Sequence, residues 1–358
     1  MMRIIGYLDM DAFFAAVEER DNPRFAGLPI VVGSDPKNGQ GRGVVSTANY
    51  KAREYGIKSA TPITKAWQFS ENAKRQGKPA AIFLPVDFEK YGRTSQRIFG
   101  ILKKYARLIE PASIDEFCFD LSFAETFKKG REIALQIKDA VKNQEKLTCS
   151  IGVGPNKLIA KIASDFQKPD GLTIVPPEKA ENFLAPLPVR KIPGIGPKTE
   201  IVFSKLGAKK VSDLKKYSEG ELYKMLGQWG LDIYEKIRGL DETPLVFDYE
   251  AKSIGQQETF EKDTLDSKII FPKIEEMAEE LILRLKTEGF HKFKTIAITV
   301  RFSGFETKTR AKTLGKPADS LDLLKFESLR LLTPFFDRRE NPQQKLIRMI
   351  GLRLEKLS

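Results

Sequence analysis

Histidine and cysteine are almost missing from this chain. It has one histidine, His291, and two cysteines, Cys118 and Cys149. A single imidazole, read as a surface residue, nearly excludes Ser-His-Asp, Cys-His and His-rich metal chemistry. Two thiols in segments that read as buried strands make neither a disulfide framework nor a Cys-type zinc site. Long apolar runs are missing too, and nothing approaches the ~20 residues that cross a bilayer. The opening MMRIIGYLDMD reaches Asp9 too early to form a signal-peptide core, so a cytoplasmic or nuclear setting without a membrane is expected. No fixed-period repeat or low-complexity tract is visible.

Catalysis, if present, must then rest on carboxylates, lysines or bound metal. The 358 residues exceed one ordinary core, so two to four domains are expected. Lys+Arg 60 against Asp+Glu 48 leaves a net charge of +12. That excess favours an anionic partner, nucleic acid before an acidic membrane surface.

The pattern along the chain predicts buried strands at Ile4–Leu8, Leu28–Gly33 and Gly43–Ser46, and a strand over Ala112–Leu121. Asp11 is placed to cap a helix over Ala12–Arg20, and Thr47 to cap a helix ending at Gly56. Further helices are expected at Pro62–Asn72, Phe88–Tyr105, Phe127–Asn143 and Lys157–Phe166. Strands are expected at Leu147–Val153 and Leu172–Val175, with a turn at Lys168–Gly171 between the last helix and the last strand. This alternation predicts a mixed sheet with helices against it. From Pro176 to Leu240 the reading changes to short helices punctuated by glycine. Residues 241–252 look like a linker. The remainder reads as β-α-β-β-α-β, the ferredoxin-like element order, with an independent core.

Four acids stand out. Asp9 and Asp11 end an apolar strand, and Asp115-Glu116 interrupts another apolar segment. Acids are disfavoured inside strands and seldom buried unpaired. At a hairpin tip, Asp115 and Glu116 can reach one site. If they meet Asp9 they repel, since two charges 4 Å apart cost about 4 kcal/mol at an effective dielectric near 20. With no histidine at hand, divalent cations are the natural compensation, and oxygen-only ligands suit Mg²⁺ or Mn²⁺. A pair of such ions supports phosphoryl transfer. Each acid alone reads better as a strand-end cap or surface residue, but as a set ending two apolar strands in a basic, histidine-poor chain the acids favour the metal reading. The set does not separate a polymerase from a nuclease.

The run Leu8-Asp9-Met10-Asp11-Ala12-Phe13-Phe14-Ala15-Ala16-Val17-Glu18 resembles the opening motif of Y-family DNA polymerases, and Ser113-Ile114-Asp115-Glu116 resembles their second catalytic motif. Ser46–Arg53 and Gly56–Pro62 are similar to the family's fingers. Ser150-Ile151-Gly152-Val153-Gly154-Pro155-Asn156-Lys157 and Lys168-Pro169-Asp170-Gly171 are similar to the rest of its palm, and Ile192-Pro193-Gly194-Ile195-Gly196 to its thumb. The nearest branch is the DNA polymerase IV type. The likeness runs through the chain, strongly to about residue 200 and loosely in the last hundred.

The resemblance implies an α+β multidomain right hand. A ferredoxin-like palm covers 1–12 and 80–175, small fingers 13–79, and a helical thumb with a helix-hairpin-helix 176–240. Beyond the linker, a β-α-β-β-α-β little finger covers 253–358. It implies a low-fidelity translesion polymerase, a cytoplasmic monomer that works on primer–template DNA and deoxynucleoside triphosphates. Asp9 and Asp115 would bridge two Mg²⁺ ions, which Mn²⁺ can replace. Glu116 would join the catalytic ion and the Met10 carbonyl the nucleotide-side ion. Asp11 carries no such role, and capping explains it.

Phe13 and Phe14 would lie at the nucleotide, Phe14 as the aromatic gate against a ribose 2′-hydroxyl. Ala12 stands where some relatives carry tyrosine. Tyr50 and Arg53 share a helix face, Thr47 sits at that helix's N-terminus where a phosphate is favoured, and Lys168 follows a helix in a tight turn. The family places Tyr50, Arg53 and Lys168 on the triphosphate.

Gly194, Gly196 and Lys198, with Lys191 beside them, would hold a DNA phosphate. Arg301, Lys308, Arg310, Lys312, Arg348 and Arg353 would track the backbone from polar strand faces. Arg348 is one basic residue where some relatives have two, so fewer phosphate contacts are expected there. A sliding clamp is a further family partner, but the chain stops at Ser358 directly after its last expected strand, so the docking peptide is expected to be absent or removed. A structure-specific nuclease and a non-catalytic DNA-binding scaffold are the rival readings. Tyr50, Arg53 and Lys168 argue against the first, and the intact acid set against the second.

Overall fold

The computed structural model describes residues 2–247 and 250–358. The chain forms two compact units, Met1–Gln40 with Val44–Asp248, and Gly41–Gly43 with Tyr249–Ser358. Of the expected linker 241–252, Asp248 and Tyr249 lie outside the described residues.

The first unit opens with β1 (Ile5–Met10) and α1 (Phe13–Asp21). A small sheet follows: β2 (Ile30–Gly33) lies between β3 (Val45–Ala48), antiparallel to it, and β4 (Ile82–Leu84), parallel to it. Between β3 and β4 run the short α2 (Tyr50–Glu54) and α3 (Ile63–Arg75). Next come α4 (Phe88–Leu102), β5 (Ile109–Pro111), β6 (Glu116–Asp120), α5 (Phe127–Glu145), β7 (Cys149–Gly154), α6 (Lys157–Ser164) and β8 (Leu172–Ile174).

The order β5-β6-β1-β7-β8 puts β1 at the centre of a mixed sheet. It runs antiparallel to both neighbours, and β7 pairs in parallel with β8. A central strand covered on both faces should be apolar, and β1 is so except at Asp9, with all six of its residues buried. Side chains alternate across a strand, which fixes the faces. Ile4, Leu8 and Met10 pack with α4 and α5. Ile5 and Tyr7 pack with Cys118 and Ala160 of α6. Asp9 shares this second face.

Ser150, Gly152 and Gly154 are the β7 partners of Asp9, Tyr7 and Ile5. Their small size lets α6 lie almost on the sheet. A methyl group at Gly152 would fall 2.0 Å from the Ala160 carbonyl oxygen and 2.4 Å from the Ser164 nitrogen. The opposite side of α6 joins a helical cluster built from α7 (Pro177–Leu184), α8 (Pro197–Lys205), α9 (Val211–Leu214), α10 (Glu219–Leu226) and α11 (Gln228–Lys236). Residues 241–247 follow the surface of this unit. The Arg3 guanidinium donates to the Asp241 carbonyl, and the Val246 N–H to Glu110.

The second unit has the expected β-α-β-β-α-β order: β9 (Ser253–Thr264), α12 (Ser267–Thr287), β10 (Phe293–Phe302), β11 (Thr307–Ala318), α13 (Leu321–Leu332) and β12 (Ile347–Glu355). Its antiparallel sheet runs β11-β10-β12-β9, so the last strand threads between the first two. One face carries Ile296, Ile298, Val300, Ile350 and Leu352 against the two helices.

Local corrections concern helix starts. Asp11 does not cap α1. The cap position is Ala12 in the left-handed region, with φ 47° and no side-chain cap. Thr47 does not cap α2 either, because it lies within β3. Asn49 is the cap and accepts from the Ala52 N–H at 3.0 Å.

Gly152→Ala drives a carbon into helix backbone that cannot rotate aside. It is expected to lower unfolding free energy by about 3 kcal/mol, at the upper end of ordinary overpacking, read as a lower urea midpoint at unchanged slope.

Candidate active site

The three acids come to one end of the large sheet by register. Asp9 of β1 is the cross-strand partner of Glu116 of β6. Asp115 precedes Glu116 in the β5–β6 turn, and its carbonyl accepts the Met10 N–H at 3.0 Å. Met10 itself is buried with its side chain in the α4/α5 core. The hairpin-tip expectation for Asp115-Glu116 therefore holds.

Each of the three side chains has its own polar partner, and those of Asp9 and Glu116 also approach one another. Asp9, 5% exposed, accepts a hydrogen bond from the Lys168 ammonium, which also lies 3.5 Å from Asp165. Glu116 is engaged at both oxygens. The Tyr7 hydroxyl donates at 2.6 Å and the Lys161 ammonium at 2.8 Å. Lys161 also lies 4.6 Å from the centre of the Tyr7 ring. Asp115 is turned to the Ser113 hydroxyl at 2.6 Å. Among the described residues, no three acidic, His or Cys side chains surround one point in a way that could hold an ion.

The two paired acids respond oppositely to this setting. Burial pushes the Asp9 carboxyl up to about 7, and Glu116 and Asp165 add to the rise while Lys168 opposes it. Burial also works against the charged form of Glu116. Lys161 and Tyr7 outweigh it and hold that carboxyl below its usual range. Tyr7 is pushed well above the ordinary phenol value, first by burial and then by its bond to Glu116. The donors at this corner are all oxygen: the Asp9, Asp115 and Glu116 carboxylates and the Met10 carbonyl. Such a set fits Mg²⁺ or Mn²⁺, and two ammonium groups now supply the charge that the buried acids require.

Asp11, 3% exposed, has a structural task. It accepts from the Ser150 hydroxyl at 2.9 Å and from the Asp170 N–H at 2.8 Å. It thereby fastens the Lys168–Gly171 turn to β7 and sets where Lys168 stands. Lys138 holds the same turn from α5 through Asp170 at 2.6 Å.

Tyr50 and Arg53 share a face as expected, with the guanidinium carbon 4.5 Å from the Tyr50 ring centre. The Arg53 Nε donates to the Ala48 carbonyl at 2.9 Å. The Tyr50 hydroxyl is buried with no well-formed hydrogen bond among the described residues, Arg53 being the side chain that approaches it. It lies within the fields of Asp11, Arg53 and Lys168. A poorly satisfied buried hydroxyl beside two cations is a position made for an anion's oxygen. Thr47 lies on β3, outside the helix that carries Tyr50 and Arg53.

Phe14, 8% exposed, stacks on Tyr91 with centroids 4.2 Å apart and planes at 10°. Phe13 is fully in the core, 5.8 Å from Phe14. Tyr91 donates to the buried Glu18 at 2.7 Å, so the platform under Phe14 is fixed.

The remaining candidates fall into two groups. Gly194 has φ +99°, and its turn leads through Gly196 into α8, with Lys191 and Lys198 exposed beside it. In the second unit, Arg301 lies on the open face with Thr299, bonded to Thr307 at 2.9 Å. Arg353 shares that face and pairs with Glu355 at 2.5 Å. Lys308, Arg310 and Lys312 do not join them. They are the partners of Val300, Ile298 and Ile296, so they point to the helix face. Because β11 is an edge strand, they reach past the helices to acids: Arg310 to Glu340 at 2.8 Å and Lys312 to Glu327 at 2.6 Å. Arg348 lies over the Phe305 ring at 4.7 Å.

Sequence reasoning did not single out Tyr7 and Lys161. Tyr7 was findable, since it lies two residues before Asp9 and so on the same strand face. Lys161 was not, because its approach depends on how closely α6 meets β7.

Folding raises the Asp9 carboxyl, so its favourable contribution is complete below about pH 4 and is lost as the pH rises through about 7. In metal-free buffer, the melting temperature of Asp9→Asn relative to the wild type is expected to rise between pH 5 and pH 8, because only the wild type loses this contribution; an unchanged difference across that range would remove Asp9 as the titrating group.

The chain is similar to known proteins along almost its whole length. Residues 8–165 match the model of the impB/mucB/samB family, residues 251–358 that of the same family's C-terminal domain, and residues 177–208 an HHH motif of the family. The chain is 42% identical to DNA polymerase IV 2 of Methanosarcina mazei over 99% of its own length and 92% of the relative's. It is 40% identical to DNA polymerase IV of Methanoculleus marisnigri, over 99% and 94%. Among solved structures, a Y-family DNA polymerase chimera of Dbh and Dpo4 superposes with a TM-score of 0.87 at 31% identity, covering 99% of both chains. An insertion ternary complex of Dbh DNA polymerase superposes at 0.65, with 30% identity and 99% of both chains covered.

Proposed function

The chain belongs to the impB/mucB/samB family, the Y-family DNA polymerases, and from that membership we propose that Asp9, Asp115 and Glu116 are the acids that serve its nucleotidyl transfer. It is a DNA-directed DNA polymerase of the DNA polymerase IV type, and translesion synthesis is its field. The observation that carries the residue assignment is the pairing of buried Asp9 with Glu116 at the sheet end where Asp115 turns.

We read the five-stranded sheet as the palm, the β2–β4 unit with α2 and α3 as the fingers, the glycine-punctuated helices as the thumb, and the second unit as the little finger. Two Mg²⁺ ions bound by the three acids and the Met10 carbonyl would lower the pKa of the primer 3′-hydroxyl and offset charge at the α-phosphate. To join them Asp115 would turn its side chain away from Ser113, on a backbone already tied to Met10.

The chain's own residues set the substrate in place. Arg53 offers a fork to phosphate oxygens and Lys168 a point charge, and the Tyr50 hydroxyl completes the triphosphate seat. Asp11 positions Lys168 for that task. Phe14, held flat on Tyr91, cannot swing aside and presents one edge to the sugar. Gly194, Gly196 and Lys198 would take a DNA phosphate. Arg301, Arg353 and Arg348 would follow the backbone from the second unit, with Arg310 contributing only if it leaves Glu340.

Primer extension with Mg²⁺ on damaged and undamaged templates tests the reading. Asp115→Ala is expected to reduce nucleotide addition by at least ~10³-fold while primer–template binding is retained; extension at the wild-type rate would remove Asp115 from the site. Phe14→Ala is expected to raise ribonucleotide incorporation at least ~10-fold, and an unchanged sugar preference would remove the gate.

A further inference from the structure

We propose that Lys161 and Lys168 are internal counter-ions that keep the acids closed to divalent cations until the two anionic substrates draw them away. This rests on reading Asp9, Asp115 and Glu116 as the metal-holding set.

Both lysines already occupy the oxygens in question. Lys168 donates to Asp9, and Lys161 to Glu116 at 2.8 Å. Neither is a chance surface pair. The Asp9 side chain is 8% exposed and that of Lys168 19%, with Glu116 and Lys161 at 25% and 33%. Each lysine is also built into place. Lys168 stands on a turn fastened by Asp11 and by Lys138. Lys161 lies on the one helix that a glycine-lined strand admits close to the sheet, with its ammonium over Tyr7. Tyr7 takes the other oxygen of Glu116 and holds the carboxylate towards Lys161.

Each ammonium also has somewhere to go. Lys168 and Arg53 both act on Tyr50, whose hydroxyl is buried without a well-formed hydrogen bond among the described residues. A triphosphate seated there offers Lys168 more negative charge than Asp9 does. Lys161 borders a cavity of about 230 Å³ lined also by Tyr7, Lys157, Lys236 and Pro193 and by the acids Glu110 and Asp241. Lys157 and Lys236 are held by Glu110 and Asp232, and Lys161 by Glu116; of the three acids only Glu116 belongs to the proposed metal set, so Lys161 is the cation that must change partners when metal binds. Pro193 opens the glycine turn, so a strand phosphate held by that turn would come near the same cavity. Nucleotide arrival would thus free Asp9, and primer arrival would free Glu116. Metal ligation becomes conditional on both substrates, with Lys161 and Tyr7 as positioning residues rather than catalytic ones.

The test is Mn²⁺ titration of the full chain without DNA or nucleotide, with free Mn²⁺ read by electron paramagnetic resonance. If each ammonium holds its acid nine times in ten, Lys161→Met and Lys168→Met should each bind Mn²⁺ about tenfold more tightly than the wild type. Lys161→Arg and Lys168→Arg keep a cation in place and should bind as weakly as the wild type. Lys161→Met should also melt below the wild type without Mn²⁺ and regain that loss when Mn²⁺ is added. Equal affinity in the wild type and both Met variants overturns the counter-ion role. Adding Asp115→Ala to Lys161→Met should abolish the gained binding; if the gain survives, the metal reading of the three acids is what fails.

Discussion

A carboxylate at the end of a fully buried strand must be given a positive partner, and the first unit is organised around that demand. Asp9 lies on the central strand of the large sheet, beside Glu116 and close to Asp165. Leaving such charges unpaired in low dielectric costs several kcal/mol each. Lys168 and Lys161 meet the demand from the two ends of one segment, the helix α6 and the turn that follows it. The placement of that segment decides the rest of the site.

The placement follows from small side chains. Ser150, Gly152 and Gly154 occupy one face of β7, while Cys149, Ile151 and Val153 fill the core on the other. The alternation admits α6 on the first face at backbone contact distance. Ser150 adds a second task, since its hydroxyl donates to Asp11 and accepts the Gly171 N–H at 3.1 Å. The same short strand therefore seats the helix that carries Lys161 and the turn that carries Lys168. Packing and electrostatics are coupled here, and a change at Gly152 would be felt at Glu116.

The corrections share one physical origin. Asp11 reads locally as a helix cap because it precedes a helix, but Ala12 takes a left-handed conformation. Its carboxylate is instead used by residues 139 and 159 positions away. Arg310 reads as a DNA contact because β11 alternates polar residues, and alternation alone leaves open which face is covered. Pairing with Ile298 puts it on the helix side, where Glu340 meets it. Long-range partners are invisible to any local pattern.

By itself, the sequence was enough for the element order, the mixed sheet, the separate C-terminal unit, the hairpin tip at Asp115-Glu116 and the kinship with Y-family polymerases. Periodicity, caps and motif spacing are local properties, and a few residues suffice to reveal them. Only the tertiary structure decided that Tyr7 and Lys161 hold Glu116, that Asp11 anchors a turn, that Tyr50 buries a hydroxyl without a well-formed hydrogen bond, and which basic residues face away from the helices. Those facts depend on register between distant strands and on how closely one helix approaches a sheet, and the chain acquires them only on folding.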